Sequence, residues 1–431
     1  MLLQQIRYFV GVLAVLALIG CESAMPTPTS APATATPDEP TPTATPTRVP
    51  QPTPMITMLE LWLPQELDPY GEQEGAQVLA DQLAVFSDTY PNLQVKVVLK
   101  EAHGRGGLVD SMRTAKAAAP SVLPDLVVLD AADLDTVAGS GLVQPLDGLL
   151  TSSANDRFPI ASSLGRIDGQ TAGLTLGVDL QHLAYRPALF DSPPVSWTQV
   201  ISSPAEFLFP AGGVEGHVND ATLIQYLGAG GELTDGEGTP SLDETAMIDV
   251  FEFYTRCITN TVIAPTKVLT ATHADQVWEQ FKAGEGGMTA VRATRYWAEA
   301  DETMAPAPIP TKDGEAVSIA RGWVIAMVTE TPARQDEAML LIDWLTAPDH
   351  NALWTQASGY LPVTPSALML WDVSEDERIV LHDLLEGAVR PPRAGVMEAV
   401  GPLLQEALES VLRGQASPEE AARSAARRVG Q

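Results

Sequence analysis

The stretch from Ser23 to Pro54 sets the first limit on what this chain can fold into. It is a run dominated by Pro, Thr and Ala (TPTSAPATATPDEPTPTATPTRVPQPTP). Prolines this dense remove backbone donors, and the stretch offers almost nothing to bury. It reads as an extended, partly polyproline-II tether. At about 3.1 Å per residue, its roughly thirty residues reach on the order of 100 Å. A packed body can therefore begin only near residue 55.

What precedes the tether is equally informative. Arg7 is the only charge before an apolar run from Tyr8 to Gly20. A positive start and an apolar run too short to span a bilayer comfortably make residues 1–20 a signal peptide. The run ends Leu18-Ile19-Gly20-Cys21, which resembles the bacterial lipobox. Cys21 is then the lipidated residue, and residues 21–54 carry the body above the membrane. A lipoprotein carries at least two acyl chains there, enough for stable anchoring. An ordinary secretory signal and an N-terminal anchor helix are the alternatives. The expected location is extracytoplasmic, lipid-anchored to the cell membrane. Cys257 is the only other cysteine, so the mature chain can form no internal disulfide. With Met247, Val250, Phe251 and Tyr254 at helical spacing, Cys257 reads as a buried thiol.

Charge narrows the partners. The 431 residues carry 25 Lys and Arg against 55 Asp and Glu, a net charge of −30. A field of that sign repels phosphate backbones, so no nucleic acid is expected as a partner. Hydrophobic residues make up 45% of the chain, sufficient for a sizeable core.

Periodicity gives the order of elements. Met55–Leu63 reads as a strand stopped by Pro64. Leu79, Leu83, Phe86 and Tyr90 form one face of a helix broken by Pro91-Asn92. Leu93, Val95, Val97 and Leu99 alternate as a strand; a helix follows at about 107–118. Leu126–Leu129 is an apolar run suited to a strand covered on both faces. Strand, helix, strand, helix, strand makes a doubly wound α/β lobe. Ligands bind such sheets at the carboxyl ends of the strands. Trp62 and Asp130 fall there. Trp62 reads equally as lobe core, and Asp130 as the N-cap of a helix at Asp133 to Ala138. Further helices are predicted at 244–256, at 274–283 with Gly284 as cap, and at 335–346. The stripe from Val400 to Leu412 makes another. The last starts at Ser417-Pro418-Glu419-Glu420.

Several segments, in order, resemble the extracellular solute-binding proteins of group 1, which include the maltose-binding lipoproteins of ABC importers. They are Tyr90-Pro91-Asn92, Leu123-Pro124-Asp125, Ser140–Leu146, and Leu183-Ala184-Tyr185-Arg186 with Pro193–Trp197. Trp278–Gly284 with Gly287-Met288, Gly322-Trp323, Leu341–Leu345 and Gly359–Pro362 complete the set. Arg186 stands where the family usually has Asn.

The resemblance implies an α/β two-lobe fold of the periplasmic-binding-protein type (type II), with a hinge of crossing strands near Gly177–Leu180, Pro306–Pro310 and Gly359–Val363. Lobe 1 would comprise 55–178 plus 309–358, and lobe 2 would comprise 179–308 plus 359–431. A small solute, a mono- or oligosaccharide, would lie between the lobes. The partners would be that solute and ABC transporter permease subunits, with the chain acting as a monomer and needing no cofactor or metal.

Sugar hydroxyls suit carboxylates, and sugar C–H faces suit aromatic planes. By the resemblance, Asp179 stands where an acidic cleft residue is common, ordinary hinge packing being its other reading. Tyr296 and Trp297 follow Met288, where an aromatic stacks on ligand. Trp323 and Arg321 flank Gly322; their other readings are core and a hinge ion pair. Tyr360 lies at the third crossing. Aromatics are only 6% of the chain, and Ala131-Ala132 lack the large side chains of some sugar binders.

No metalloprotease, nucleophile-elbow, phosphate-loop or C-x-x-C motif is present, so no enzyme is expected. A carboxylate-pair glycosidase is set in space rather than in sequence and stays as an alternative. So does a binding lipoprotein that presents its ligand to a sensor, without transport.

Overall fold

The computed structural model describes residues 56–150 and 156–429. They belong to one compact unit that begins at Pro54, where the proline-rich run ends. The signal peptide, Cys21 and the tether lie outside the described residues.

The body opens with three parallel strands, β1 (Thr57–Pro64), β2 (Leu93–Lys100) and β3 (Leu126–Asp130). Leu61 stands at the centre of this set, in register with Val97 on one side and Leu126 on the other. Helices Glu74–Thr89 and Leu108–Ala118 provide the crossovers. The first turns Leu79, Leu83 and Phe86 inward, the face its spacing predicts. Leu126–Leu129 are all buried, as a strand covered on both faces requires. A small hairpin follows, β4 (Arg166–Ile167) with β5 (Gln170–Thr171).

Two long strands then organise the molecule. Strand β6 (Leu174–Tyr185) has 12 residues, about 40 Å of chain. Its first half pairs antiparallel with β10 (Ser318–Met327), from Leu174 opposite Ile325 to Leu180 opposite Ala320. Its second half pairs with β8 (Met288–Arg292) and with β9 (Ala305–Ala307). Strand β7 (Phe207–Leu208) lies beyond β8, and β11 (Ala388–Val389) pairs with the start of β10. The resulting order is β2-β1-β3-β10-β6-β8-β7. One half of the molecule gathers around β2-β1-β3, the other around β8 and β7, and β6 and β10 belong to both.

A third segment joins them at the junction. Val178 and Leu361 exchange both backbone hydrogen bonds, at 3.0 and 2.7 Å. Two glycines make this crowding feasible. A Cβ on Gly322 would lie 2.4 Å from the Gly177 carbonyl oxygen, and one on Gly177 would lie 2.9 Å from Tyr360 Cβ. No side chain fits at either place.

The cores follow the same division. The second half is filled by a cluster in which Trp197 stacks on Phe253 and Phe209 on Tyr254, both at 9° between planes. Cys257 is buried there, and burial pushes its thiol up to about 12. Helices Ala394–Leu412 and Pro418–Arg428 close this cluster, the latter capped by reciprocal bonds between Ser417 and Glu420.

These cores extend to two of the expected crossings. Ile309 and Ile319 pack in the second-half cluster, and Lys312 holds Asp249 at 2.7 Å. The chain therefore stays in that half beyond Pro306–Pro310, because β9 still pairs with the outer end of β6. It crosses within β10. Leu361, Val363, Leu368, Trp371, Leu381 and Leu385 share a cluster with Trp62, Val127 and Leu129.

Candidate functional site

A cavity of about 500 Å³ lies between the two halves. On the first-half side stand the 3-10 turn Gln65–Leu67 that follows Pro64, then Asp68, Gln73 and Glu74 at the start of helix Glu74–Thr89. On the second-half side stand Thr294, Trp297 and Ala298 of helix Ala293–Glu299. Their spacing of three and four residues makes them one helix face. The end of helix Pro348–Ser358, with Trp354, Gln356, Gly359 and Tyr360, completes the lining.

Glycines let these walls meet. Gly359 ends its helix in the left-handed region, at φ 76°, and a Cβ there would lie 2.8 Å from the Thr294 carbonyl oxygen. A Cβ on Gly75 would lie 2.7 Å from Ser358 Cβ. The end of helix Pro348–Ser358 is thus wedged between the two walls.

Tyr360 is the most connected ring of the lining. It stacks on Trp354 at 5.5 Å and 11°, and its oxygen accepts from Trp323 Nε1 at 2.7 Å. Burial pushes its hydroxyl up to about 12, and the charges of Asp179, Glu66 and Asp130 add to the shift. It keeps its proton at neutral pH and can donate it to an acceptor.

Beside Tyr360 is a charged group. Asp179 on β6 lies opposite Arg321 on β10. Arg321 grips Asp220, the first residue of helix Asp220–Gly228, through both Nη atoms, with Nη2 at 3.0 Å. Burial works against the Arg321 charge, and Asp220, Asp130 and Asp179 outweigh it. The Asp179 carboxylate accepts from the Thr294 N–H at 3.2 Å and lies 4.0 Å from Arg292. Burial nonetheless pushes its carboxyl above the usual range.

The structure brings Asp130, Asp179, Arg321, Trp323, Tyr360 and Trp297 to the junction and its cavity; Trp297 and Tyr360 line the cavity itself. Asp130 caps the turn that follows β3, accepting from the Ala132 N–H at 2.8 Å. Arg321 forms the ion pair just described. Trp62 and Tyr296 stand elsewhere. Trp62 is 5% exposed among Leu108, Met112 and Val127, with Lys100 over its ring. Tyr296 is 3% exposed and packs with Trp278, Phe281 and His182. Burial raises its hydroxyl far out of the physiological range. Glu66, Asp68, Glu74, Trp354 and Gln356 were not singled out from the sequence. The first three were within reach of it, because they follow directly on the carboxyl end of β1, where α/β sheets place their ligands.

The sequence of residues 86–379 matches the family described as bacterial extracellular solute-binding protein. A Brucella abortus chain, known by name only as a binding protein, is 23% identical over 323 aligned residues, covering 70% of this chain and 78% of that one. Among solved structures, the sugar-binding protein MalE of Xanthomonas citri is 20% identical with a TM-score of 0.69, over 86% of this chain and 96% of that one. The cyclic α-maltosyl-1,6-maltose binding protein of Arthrobacter globiformis is 18% identical with a TM-score of 0.68, over 87% and 98% of the two chains. These likenesses show the fold: α/β, two lobes and a hinge between them, as the sequence resemblance implies.

Proposed function

The chain belongs to the bacterial extracellular solute-binding proteins, and on that premise we propose that it captures a mono- or oligosaccharide between its lobes for an ABC importer. One observation carries this reading. The cavity of about 500 Å³ joins aromatic planes, Trp297, Trp354 and Tyr360, with the carboxylates of Glu66, Asp68 and Glu74. Planes cover sugar C–H faces, and carboxylates accept charge-assisted bonds from hydroxyls. The volume suits a small ligand.

Asp179, Asp130 and Arg321 form a charged group behind the lining, near Tyr360, and Trp323 donates to the Tyr360 oxygen. Trp62 and Tyr296 support the lobes from within. The lobe limits follow the crossings: 56–178 with 324–388 in the first lobe, 181–319 with 394–429 in the second. The protein acts outside the cytoplasm, held to the membrane by lipid on Cys21 and delivering its solute to permease subunits as a monomer. Among the described residues no helix is long and apolar enough to cross a membrane.

A thermal-shift screen tests the reading. A solute at a hundred times its Kd adds about 2.7 kcal/mol to the folded state. A neutral sugar is expected to raise the melting midpoint, whereas amino acids, polyamines and metal ions leave it unchanged. A rise with polyamines and none with any sugar would overturn the assignment.

A further inference from the structure

We propose that Asp179 is a positioning residue: from the hinge strand it holds the first turn of helix Ala293–Glu299 and so aims Trp297 into the cavity. Its carboxylate accepts from the Thr294 N–H at 3.2 Å, a donor that the first turn of a helix leaves without an intrahelical partner. Thr294 and Trp297 are three residues apart, on one face, and both line the cavity. Turning the first turn therefore turns the indole.

Trp297 does not fix its own place. Its Nε1 is buried and meets no acceptor among the described residues. Its neighbours are ring edges, Tyr296 at 5.1 Å and Trp371 at 5.5 Å. The opposite face of the helix is secured within the second half: Arg295 pairs with Glu279 and Glu299, and Trp278 donates to Glu299. The first turn, by contrast, touches two crossings, Asp179 on β6 and Gly359 against the Thr294 carbonyl. It is where the angle between the halves reaches the cavity wall.

This role uses the cavity of the proposed binding site, but its test needs no solute, so the two readings fail separately. The full chain is labelled with 5-fluorotryptophan, and the Trp297 fluorine resonance is assigned with Trp297→Phe. Asp179→Ala is expected to shift or broaden that resonance while those of Trp197 and Trp278, in the second-half cores, stay in place. Asp179→Asn keeps an oxygen that accepts from Thr294 and is expected to restore the wild-type position. Thr294→Pro removes the donor and leaves the carboxylate, and prolines are tolerated in a first turn. It is expected to reproduce the Asp179→Ala shift, and it decides the matter if Asp179→Ala does not fold. An unmoved Trp297 resonance in folded Asp179→Ala or Thr294→Pro would overturn the proposal, as would an Asn variant that behaves like Ala.

Discussion

The two walls of the cavity are built differently. On the first-half side, the carboxylates of Glu66 and Glu74 make no hydrogen bond or ion pair among the described residues. On the second-half side, both charged residues of helix Ala293–Glu299 are engaged: Arg295 with Glu279 and Glu299, and Glu299 with Lys282 at 2.6 Å. Behind that helix lies a largely apolar and aromatic layer, with His182 buried against Tyr296. One wall thus offers free acceptors on a turn and at the start of a helix, while the other presents a ring on a braced helix. A binding seam gains from this asymmetry. The braced wall costs little to order, and the free carboxylates need not give up a partner before meeting a hydroxyl.

The largest test of the contrast uses two adjacent residues of the braced wall. Tyr296→Ala is expected to cost about 4 kcal/mol of stability, because it opens a hole in a packed aromatic cluster. Trp297→Ala is expected to leave stability within about 1 kcal/mol and to weaken solute binding by about 2 kcal/mol. Denaturant unfolding and calorimetric titration read the two effects; equal stability losses would mean the helix does not separate core from cavity.

Acid provides the next. His182, on β6 behind Tyr296, is fully buried, with Nδ1 2.9 Å from the Leu183 carbonyl. Burial lowers it from 6.5 to about 4, partly offset by that carbonyl. The unfolded chain then binds the proton more tightly than the folded one between those values. The stability is present above pH 6.5 and falls away as the pH drops toward 4, by on the order of 3 kcal/mol. Unfolding at pH 7 and pH 4.5 should show a loss in the wild type that exceeds the loss in His182→Gln. Parallel losses would place the acid sensitivity elsewhere.

The smallest effect belongs to the open wall. Glu66→Gln keeps the shape and removes the charge, and is expected to weaken binding about fivefold with no change in melting midpoint. A clear stability change would show that this wall, too, is a structural one.

Much of the architecture was legible because it is local. The face of Leu79, Leu83 and Phe86, the apolar run Leu126–Leu129, Gly284 at φ 94° and the reciprocal Ser417–Glu420 cap all follow from spacing and backbone chemistry. The same Ser-x-x-Glu pattern at Ser374–Glu377 starts helix Glu375–Glu386 and was within reach of the same reading. The site was only half legible. Neighbours on a helix point about 100° apart, so Tyr296 and Trp297 had to part company, but the phase depends on what covers the helix. Asp130 and Arg321 fit either of two readings until their partners, Ala132 and Asp220, were in place. Where the chain passes between halves depends on pairings between residues more than a hundred positions apart, which periodicity does not record.

Strands β6 and β10 run through both halves, and the ladder between them shifts register once, between Trp323 and Val324, beside the Val178–Leu361 bridge. Paired strands accommodate a range of twist, so this joint can take up a change of angle between the halves while its hydrogen bonds stay paired.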